Sequence, residues 1–192
     1  PLSFANVRWP IAPQVSAVDA TPSRQGAVFA PVPGPFAEGL YRICEHKGCN
    51  VRLDWSDLYT SITKLPLVDP KQDVNELFMA LPWEVCTNRD FPQTHHVNIQ
   101  ELSALSWELE RLALGRSRRF KDNRYVCGSD SQVAIGAWSK GRSSSRQLNA
   151  VLRKSLGISL LSRIKLVTLY LNTEYNPADA PSRNKPLDSQ RP

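Results

Sequence analysis

The chain has 192 residues, of which 41% are hydrophobic and 22% charged, and its net charge is +6 at pH 7. This length and composition predict one folded domain with its own core. No apolar run approaches the ~20 residues that a membrane-spanning helix needs, so we expect a soluble, intracellular protein of the cytoplasm or nucleus with no membrane partner. Because the chain opens with Pro1 and its only methionine is Met79, we also expect a fragment of a larger polypeptide.

Positive charge is concentrated in the middle of the chain. The cations of this region are Arg111, Arg116, Arg118, Arg119, Lys121, Arg124, Lys140, Arg142, Arg146, Arg153 and Lys154. A concentrated positive field favours a polyanionic partner, and nucleic acid is the leading class. A solvated basic face that binds no ligand is the alternative explanation.

The four cysteines do not form a disulfide framework at this chain length. Cys44, His46 and Cys49 in the segment CEHKGC, with Cys86 as a fourth ligand, are candidates for a zinc site. The spacing lacks a second pair of closely spaced cysteines, so reduced and partly buried thiols are the better interpretation.

The stretch from Ala12 to Pro31 predicts a strand, a turn and a second strand, because short apolar runs flank the turn residues Thr21 to Gly26. Asp19 interrupts the first run. A carboxylate in a buried strand needs a compensating cation or metal, although an aspartate that caps a turn is the simpler explanation. The preceding residues 1–11 are interpreted as an entry segment or linker, and residues 31–95, broken by several prolines, as an insertion or cover.

Helical spacing is clearest from Asn98 to Leu114, with a weaker helical pattern at residues 74–81 and a short helix predicted near residues 54–58. Asn98 is the predicted N-cap, and Glu101 occupies the capping-box position three residues later. Glu101 therefore has two interpretations. It either helps to cap the helix or projects from the edge of the apolar stripe into a site on the sheet.

Further elements are predicted in the second half of the chain. Residues 124–127 form a short strand, which places Asp130 at its carboxyl end, where α/β sheets present ligand-binding residues. A helix or tight turn follows at residues 131–138, then a helix that starts near Ser144 and ends at Gly157, a strand at residues 166–171 and a short helix at residues 176–183. The tail, residues 184–192, is expected to be flexible.

Four acids share a position at the end or edge of an element that reaches one sheet: Asp19, Glu101, Asp130 and Asp179. Oxygen-only ligation suits Mg²⁺ or Mn²⁺. Two such ions about 4 Å apart support in-line attack of water on a phosphodiester.

Four segments in order carry a family resemblance: VDATPSRQGAVFA, NIQELSAL, GSDSQVAIGAWSKGRSSS and YNPADAPSR. Together they resemble the ribonuclease H domain that follows the polymerase in retroelement reverse transcriptases, especially those of gypsy-like and DIRS-like elements. The resemblance implies an α/β, ribonuclease H-like fold over residues 12–183, with a mixed five-stranded sheet flanked by helices and a long insertion before the first major helix.

The resemblance also implies a function. It assigns catalysis and metal binding to the same four acids, with two Mg²⁺ or Mn²⁺ ions, and makes the RNA strand of an RNA/DNA hybrid the substrate. Seven polar or basic residues are then suited to contact phosphates and sugars: Lys140, Arg142, Ser143, Ser144, Arg146, Gln147 and Asn149. The upstream polymerase domain of the same polyprotein is the implied partner.

Three alternatives remain at this level. The first is an integrase-like or transposase-like DNA strand transferase, which also uses clustered acids and Mg²⁺. The second is a non-catalytic connection-type domain that only binds or braces nucleic acid. In the third, the acids are surface caps and their convergence is accidental.

Overall fold

The computed structural model describes residues 8–46, 70–115 and 122–187. Five strands form one sheet: β1 (Ile11–Ala20), β2 (Arg24–Pro31), β3 (Glu84–Asp90), β4 (Asn123–Ser129) and β5 (Ile164–Tyr170). Six α-helices accompany them in the described residues: α1 (Gly34–Ile43), α2 (Pro70–Met79), α3 (Val97–Leu114), α4 (Gln132–Lys140), α5 (Arg146–Ser162) and α6 (Asp179–Ser182). A 3-10 turn covers Thr173–Tyr175.

The sheet has the order β3-β2-β1-β4-β5. β1, β2 and β3 pair antiparallel, whereas β4 runs parallel to both β1 and β5. The sheet is therefore mixed. The α/β class and the mixed five-stranded sheet flanked by helices are confirmed, and this architecture is consistent with the predicted ribonuclease H-like fold.

Each face of the sheet has its own hydrophobic core because side chains alternate along a strand. Val15 and Ala17 of β1 pack on the face covered by α1 and α2. Val18 and Ala20 pack on the opposite face, which α3, α4 and α5 cover. The central strands β1 and β4 are thus buried on both sides. Because these two strands are parallel, their carboxyl ends lie at the same edge of the sheet.

Two predicted helix ends are wrong. Helix α3 is capped by His96 and not by Asn98, because the His96 side chain accepts a hydrogen bond from the Asn98 amide at 3.2 Å. Helix α5 does not end at Gly157 but continues to Ser162. Its last turn is held by partly buried Ile158, which packs against the core, and the chain leaves the helix at Arg163 with φ 60°.

The described parts of residues 31–95 contain α1, α2 and the edge strand β3. β3 shows no alternation of apolar and polar residues that would identify it in the sequence, because an edge strand with mostly exposed side chains buries little. The helix predicted at residues 74–81 corresponds to α2. The helix predicted near residues 54–58 lies outside the described residues.

The C-terminal segment is described through Leu187 and is attached to the rest of the fold. The Asn184 amide donates a hydrogen bond to the Pro181 carbonyl at 3.0 Å, and Leu187 packs, partly buried, against the core beneath α1 and α2. Across residues 8–46, 70–115 and 122–187, no helix is both long and apolar enough to cross a membrane.

Candidate metal centre

Two aspartates meet because β1 and β4 are parallel neighbours. Ala17 of β1 is in register with Gly128 of β4, and two residues further along each strand come Asp19 and Asp130. Asp130 lies between β4 and α4. On one side the Ser129 hydroxyl accepts a hydrogen bond from the Ser131 amide at 3.2 Å, and on the other Ser131 caps α4 by accepting the Ala134 amide at 3.3 Å.

Glu101 reaches the same place from the first turns of α3. The neighbouring Gln100 side chain donates a hydrogen bond to the carbonyl of Pro22 and so ties the start of α3 to the β1–β2 turn. Since His96 caps the helix, Glu101 is not needed there, and it is only 8% exposed. Of the two interpretations of Glu101, the structure favours the one in which it projects into a site on the sheet.

The three carboxylates form one cluster. A carboxylate oxygen from each of Asp19, Glu101 and Asp130 lies within 4.8 Å of the other two. Two buried oxygens of this cluster, Oε2 of Glu101 and Oδ1 of Asp130, have no hydrogen-bond partner. Buried polar atoms are nearly always satisfied, so these two oxygens fit a divalent cation with oxygen ligands. Three acidic residues are thus close enough together to hold a metal ion.

Burial and mutual repulsion raise the pKa values of two of these acids. Removal from water, followed by the negative charges of Asp19 and Asp130, raises the pKa of Glu101 to about 9. Desolvation also raises the pKa of Asp19 to about 6, although the hydrogen bond from Ser182 opposes that shift and the charges of Asp130 and Asp179 add to it. A divalent cation would reverse this balance by favouring the ionised carboxylates.

The segment from Asn176 to Ser182 attaches the C-terminal part of the chain to β1. The Asn176 side chain donates a hydrogen bond to the Val18 carbonyl at 3.1 Å and accepts one from the Ala178 amide at 3.1 Å. The Ser182 hydroxyl donates to Oδ2 of Asp19. No individual roles were predicted for Asn176 and Ser182 from the sequence. They lie three residues before and three residues after Asp179, and this spacing was the available signal.

Asp179, the fourth predicted acid, is not part of the three-carboxylate cluster. Its Oδ1 atom accepts a hydrogen bond from Nε of Arg183 at 2.9 Å and forms an ion pair with Nη2 at 2.8 Å. It is nevertheless close enough for its charge to raise the pKa of Asp19. Asp179 and Arg183 line a cleft of about 930 Å³ together with Trp83, Leu81 and other residues.

Gly26 of β2 lets α6 approach the sheet. A Cβ atom at this position would lie 2.4 Å from the amide nitrogen of Ser182 and 2.7 Å from the carbonyl oxygen of Ala178. No side chain fits against backbone at that distance. Gly26 pairs with Asp19 across the hairpin, so the missing side chain is what allows Ser182 to reach that carboxylate.

Replacing Gly26 with alanine should therefore destabilise the protein by about 1–3 kcal/mol, the usual cost of overpacking, and displace α6 from Asp19. Chemical denaturation measures the stability. Gly39→Ala is the matched control, because nothing lies within 4 Å of a Cβ atom at that helical position, and it should raise stability by up to ~1 kcal/mol. Equal effects of the two substitutions would contradict this explanation of Gly26.

The predicted nucleic-acid-binding residues surround the start of α5. Lys140, Arg142, Ser144, Arg146 and Gln147 are exposed. Ser143 and Asn149 instead hold the loop together, since the Asn149 side chain accepts from the Ser143 amide at 2.8 Å and donates to its carbonyl at 2.7 Å. The helix is capped by Ser145, which accepts the Leu148 amide at 3.4 Å. Within this segment the loop is fixed, and the cations project into solvent.

Arg24, in the turn after Asp19, has a structural role. Its guanidinium donates to Oδ1 of Asn88 at 2.8 Å and to Oδ1 of Asn184 at 3.0 Å, and it forms an ion pair with Asp90 at 2.8 Å. Arg24 thus links the β1–β2 turn, the edge strand β3 and the C-terminal segment next to the carboxylates.

The zinc interpretation gains no support from the described residues, which do not include Cys49. Cys44 is buried and donates to the Leu40 carbonyl at 3.2 Å, and His46 contacts the Tyr41 carbonyl at 2.7 Å. Burial raises the pKa of Cys44 well above its ordinary value and that of Cys86 to about 12. Cys44, Cys86 and Cys127 are free thiols, in agreement with the prediction of reduced cysteines.

The fold and the site together define an α/β protein with a mixed five-stranded sheet, consistent with a ribonuclease H-like fold, and a candidate carboxylate site for a divalent metal. Comparisons with protein-family models and with curated proteins gave no match. Among solved structures, the chain is similar to the crystal structure of prototype foamy virus protease-reverse transcriptase, with 8% sequence identity and a TM-score of 0.35. The similarity covers 88% of this chain and 18% of that one, so the chain spans less than a fifth of the viral protein.

Proposed function

We propose that the chain is a metal-dependent endonuclease that hydrolyses the RNA strand of RNA/DNA hybrids, as one domain of a retroelement reverse transcriptase polyprotein. The observation that carries this proposal is the cluster of Asp19, Glu101 and Asp130 at the carboxyl ends of two parallel strands, with two buried oxygens that lack partners. A nuclease of this kind needs such a set of oxygen ligands beside a phosphate-binding surface.

In this mechanism Asp19, Glu101, Asp130 and Asp179 would hold two Mg²⁺ or Mn²⁺ ions, which when bound would supply activation of a water and stabilisation of the leaving 3′ oxygen. Ser182 fixes the position of the Asp19 carboxylate by donating a hydrogen bond to Oδ2. Gln100 and the Ser129–Ser131 contacts hold the segments that carry Glu101 and Asp130. Preorganised ligands of this kind need little rearrangement during the reaction.

Substrate binding is assigned to the exposed cations around the start of α5, together with the other polar residues predicted there from the sequence. Contacts to phosphates and 2′-hydroxyls recognise the shape of a hybrid and not its base sequence, so we expect low sequence specificity. The domain would act beside the upstream polymerase domain of the same polyprotein, in the cytoplasm or nucleus.

The test is cleavage of end-labelled RNA/DNA hybrid, duplex RNA and duplex DNA in Mg²⁺, in Mn²⁺ and with a chelator. We expect metal-dependent cutting of the RNA strand of the hybrid alone. Transfer or nicking of duplex DNA would instead identify a strand transferase. A folded protein that cuts none of the three would overturn the proposal in favour of a connection-type domain.

Arg142→Ala should weaken hybrid binding in a salt-sensitive way. Arg142 is exposed beside the start of α5, and each lost phosphate contact reduces the slope of log affinity against log salt by about 1. Fluorescence anisotropy at several salt concentrations measures both quantities. The matched control is Arg42→Ala, on α1 at the opposite face of the sheet. An unchanged slope in the Arg142 variant would remove this residue from the proposed binding surface.

A further inference from the structure

The ion pair between Asp179 and Arg183 separates the fourth acid from the other three. The hydrogen bond from Nε of Arg183, at 2.9 Å, and the ion-pair contact from Nη2, at 2.8 Å, both reach the same oxygen, Oδ1 of Asp179. That oxygen is therefore engaged by a cation, whereas Glu101 and Asp130 each present an oxygen without a partner. The four acids thus differ in availability before any substrate binds.

The pair is accessible to a ligand. The side chain of Arg183 is 55% exposed and that of Asp179 is 34% exposed, and both line a cleft of about 930 Å³. Exposed ion pairs of neighbouring residues contribute little to stability, so this one can exchange partners at small cost. Arg183 also lies close enough to the cluster for the charges of Asp19 and Asp130 to act on it, after the larger effect of Asp179.

A guanidinium is suited to both of the partners available at such a site. Its planar set of donors matches a carboxylate and, equally, two oxygens of a phosphodiester. Lysine lacks this geometry because its ammonium group is a compact point charge. An arginine beside a nuclease site can therefore exchange a carboxylate for a substrate phosphate without losing its hydrogen bonds.

We infer that Arg183 is a positioning residue that pairs with Asp179 in the free protein and releases it when a substrate phosphodiester binds the guanidinium. Asp179 then becomes free to ligate the second metal ion, so the full ion-binding set is completed only with substrate present. This inference rests on the proposed nuclease function and adds to it an order of assembly.

The first test counts bound Mn²⁺ by electron paramagnetic resonance in the protein without nucleic acid. The parent protein should bind one ion more tightly than the second. In Arg183→Ala, Asp179 is free from the start, and the second ion should bind up to roughly fivefold more tightly, because the ion no longer competes with an exposed ion pair. Arg183→Lys should fall between the two, and Asp179→Asn should lose the second site while keeping the first.

The control is Lys185→Ala, which removes one exposed positive charge from the same segment without touching Asp179. A tightening of equal size in Lys185→Ala would show a general charge effect and overturn the inference. Unchanged affinity for the second ion in Arg183→Ala would overturn it as well.

The second test is hybrid binding in Ca²⁺, followed by fluorescence anisotropy. Arg183→Ala should bind hybrid roughly tenfold more weakly, because a charge-assisted hydrogen bond to phosphate is lost, and Lys185→Ala should bind like the parent. Equal hybrid affinity in Arg183→Ala and the parent would rule out a phosphate as the group that displaces Asp179. Neither readout depends on cleavage, so failure of this inference is distinguishable from failure of the proposed nuclease activity.

Discussion

Asp130→Asn should abolish metal-dependent cleavage of RNA/DNA hybrids, with a fall in rate of roughly a thousandfold or more. Asparagine keeps the size of the side chain but removes the negative charge that a divalent cation needs. Loss of several kcal/mol of transition-state stabilisation corresponds to a change of this order. The fold should survive, because Oδ1 of Asp130 has no hydrogen-bond partner to lose and repulsion within the cluster decreases.

Single-turnover cleavage of labelled hybrid measures the loss, and circular dichroism with thermal unfolding verifies the fold. Glu38→Gln is the matched control, since Glu38 is an exposed carboxylate on α1, on the opposite face of the sheet. That variant should cut as fast as the parent. If Asp130→Asn retained the parent rate, the carboxylate cluster would not be the catalytic site.

Glu101→Gln should change how stability depends on pH in the metal-free protein. The pKa of Glu101 is about 9 in the folded chain, whereas the ordinary value of the group, which applies in the unfolded chain, is 4.5. The folded state therefore binds more protons than the unfolded state between these values, and stability falls as pH rises through that range. The neutral carboxyl contributes its full stabilisation below about pH 4.5. This stabilisation is lost as the pH rises through about 9, the pKa of Glu101 in the folded chain. The expected loss is of the order of a few kcal/mol.

Glutamine cannot ionise, so the stability of the variant should fall much less as the pH rises. The variant should therefore be more stable than the parent at pH 8 without metal. Mg²⁺ should stabilise the parent at pH 8, because it binds only the folded state, and should have little effect on Glu101→Gln. Urea unfolding from pH 5 to 9, with chelator or Mg²⁺, measures both effects. If the free energy of unfolding of the parent and of the variant changed with pH in parallel, the raised pKa of Glu101 would be contradicted.

The sequence was sufficient to predict the hairpin with Asp19, the main helix and the strand that ends before Asp130, because each combines a clear hydrophobic period with turn or cap residues. The sequence also predicted that four acids, Asp19, Glu101, Asp130 and Asp179, reach one sheet, and the first three of them lie within 4.8 Å of one another. The edge strand β3 was not predictable, since its side chains are mostly exposed and carry no alternation. The end of α5 was missed because Gly157 is tolerated inside a helix whose neighbours pack on the core.

The details of the site depend on tertiary contacts that no local pattern encodes. The ion pair that occupies Asp179 joins residues four apart, a spacing visible in the sequence, yet the same spacing occurs in any helical turn. The bonds from Ser182 to Asp19 and from Asn176 to Val18 arise only when the end of the chain is placed on its first hairpin. The structure confirms the architecture, and the roles of the individual acids stay predictions.

The attachment of the C-terminal segment to the first hairpin also bears on how the protein reaches its native state. Asn176 is 158 residues from Val18, Ser182 is 163 residues from Asp19, and Asn184 is 160 residues from Arg24. Contacts of such long range form slowly, because the entropy of closing a long loop must be overcome first. During synthesis the hairpin emerges from the ribosome long before its final partners do. We therefore expect the carboxylate cluster to take its final form only after residues 176–184 have left the ribosome.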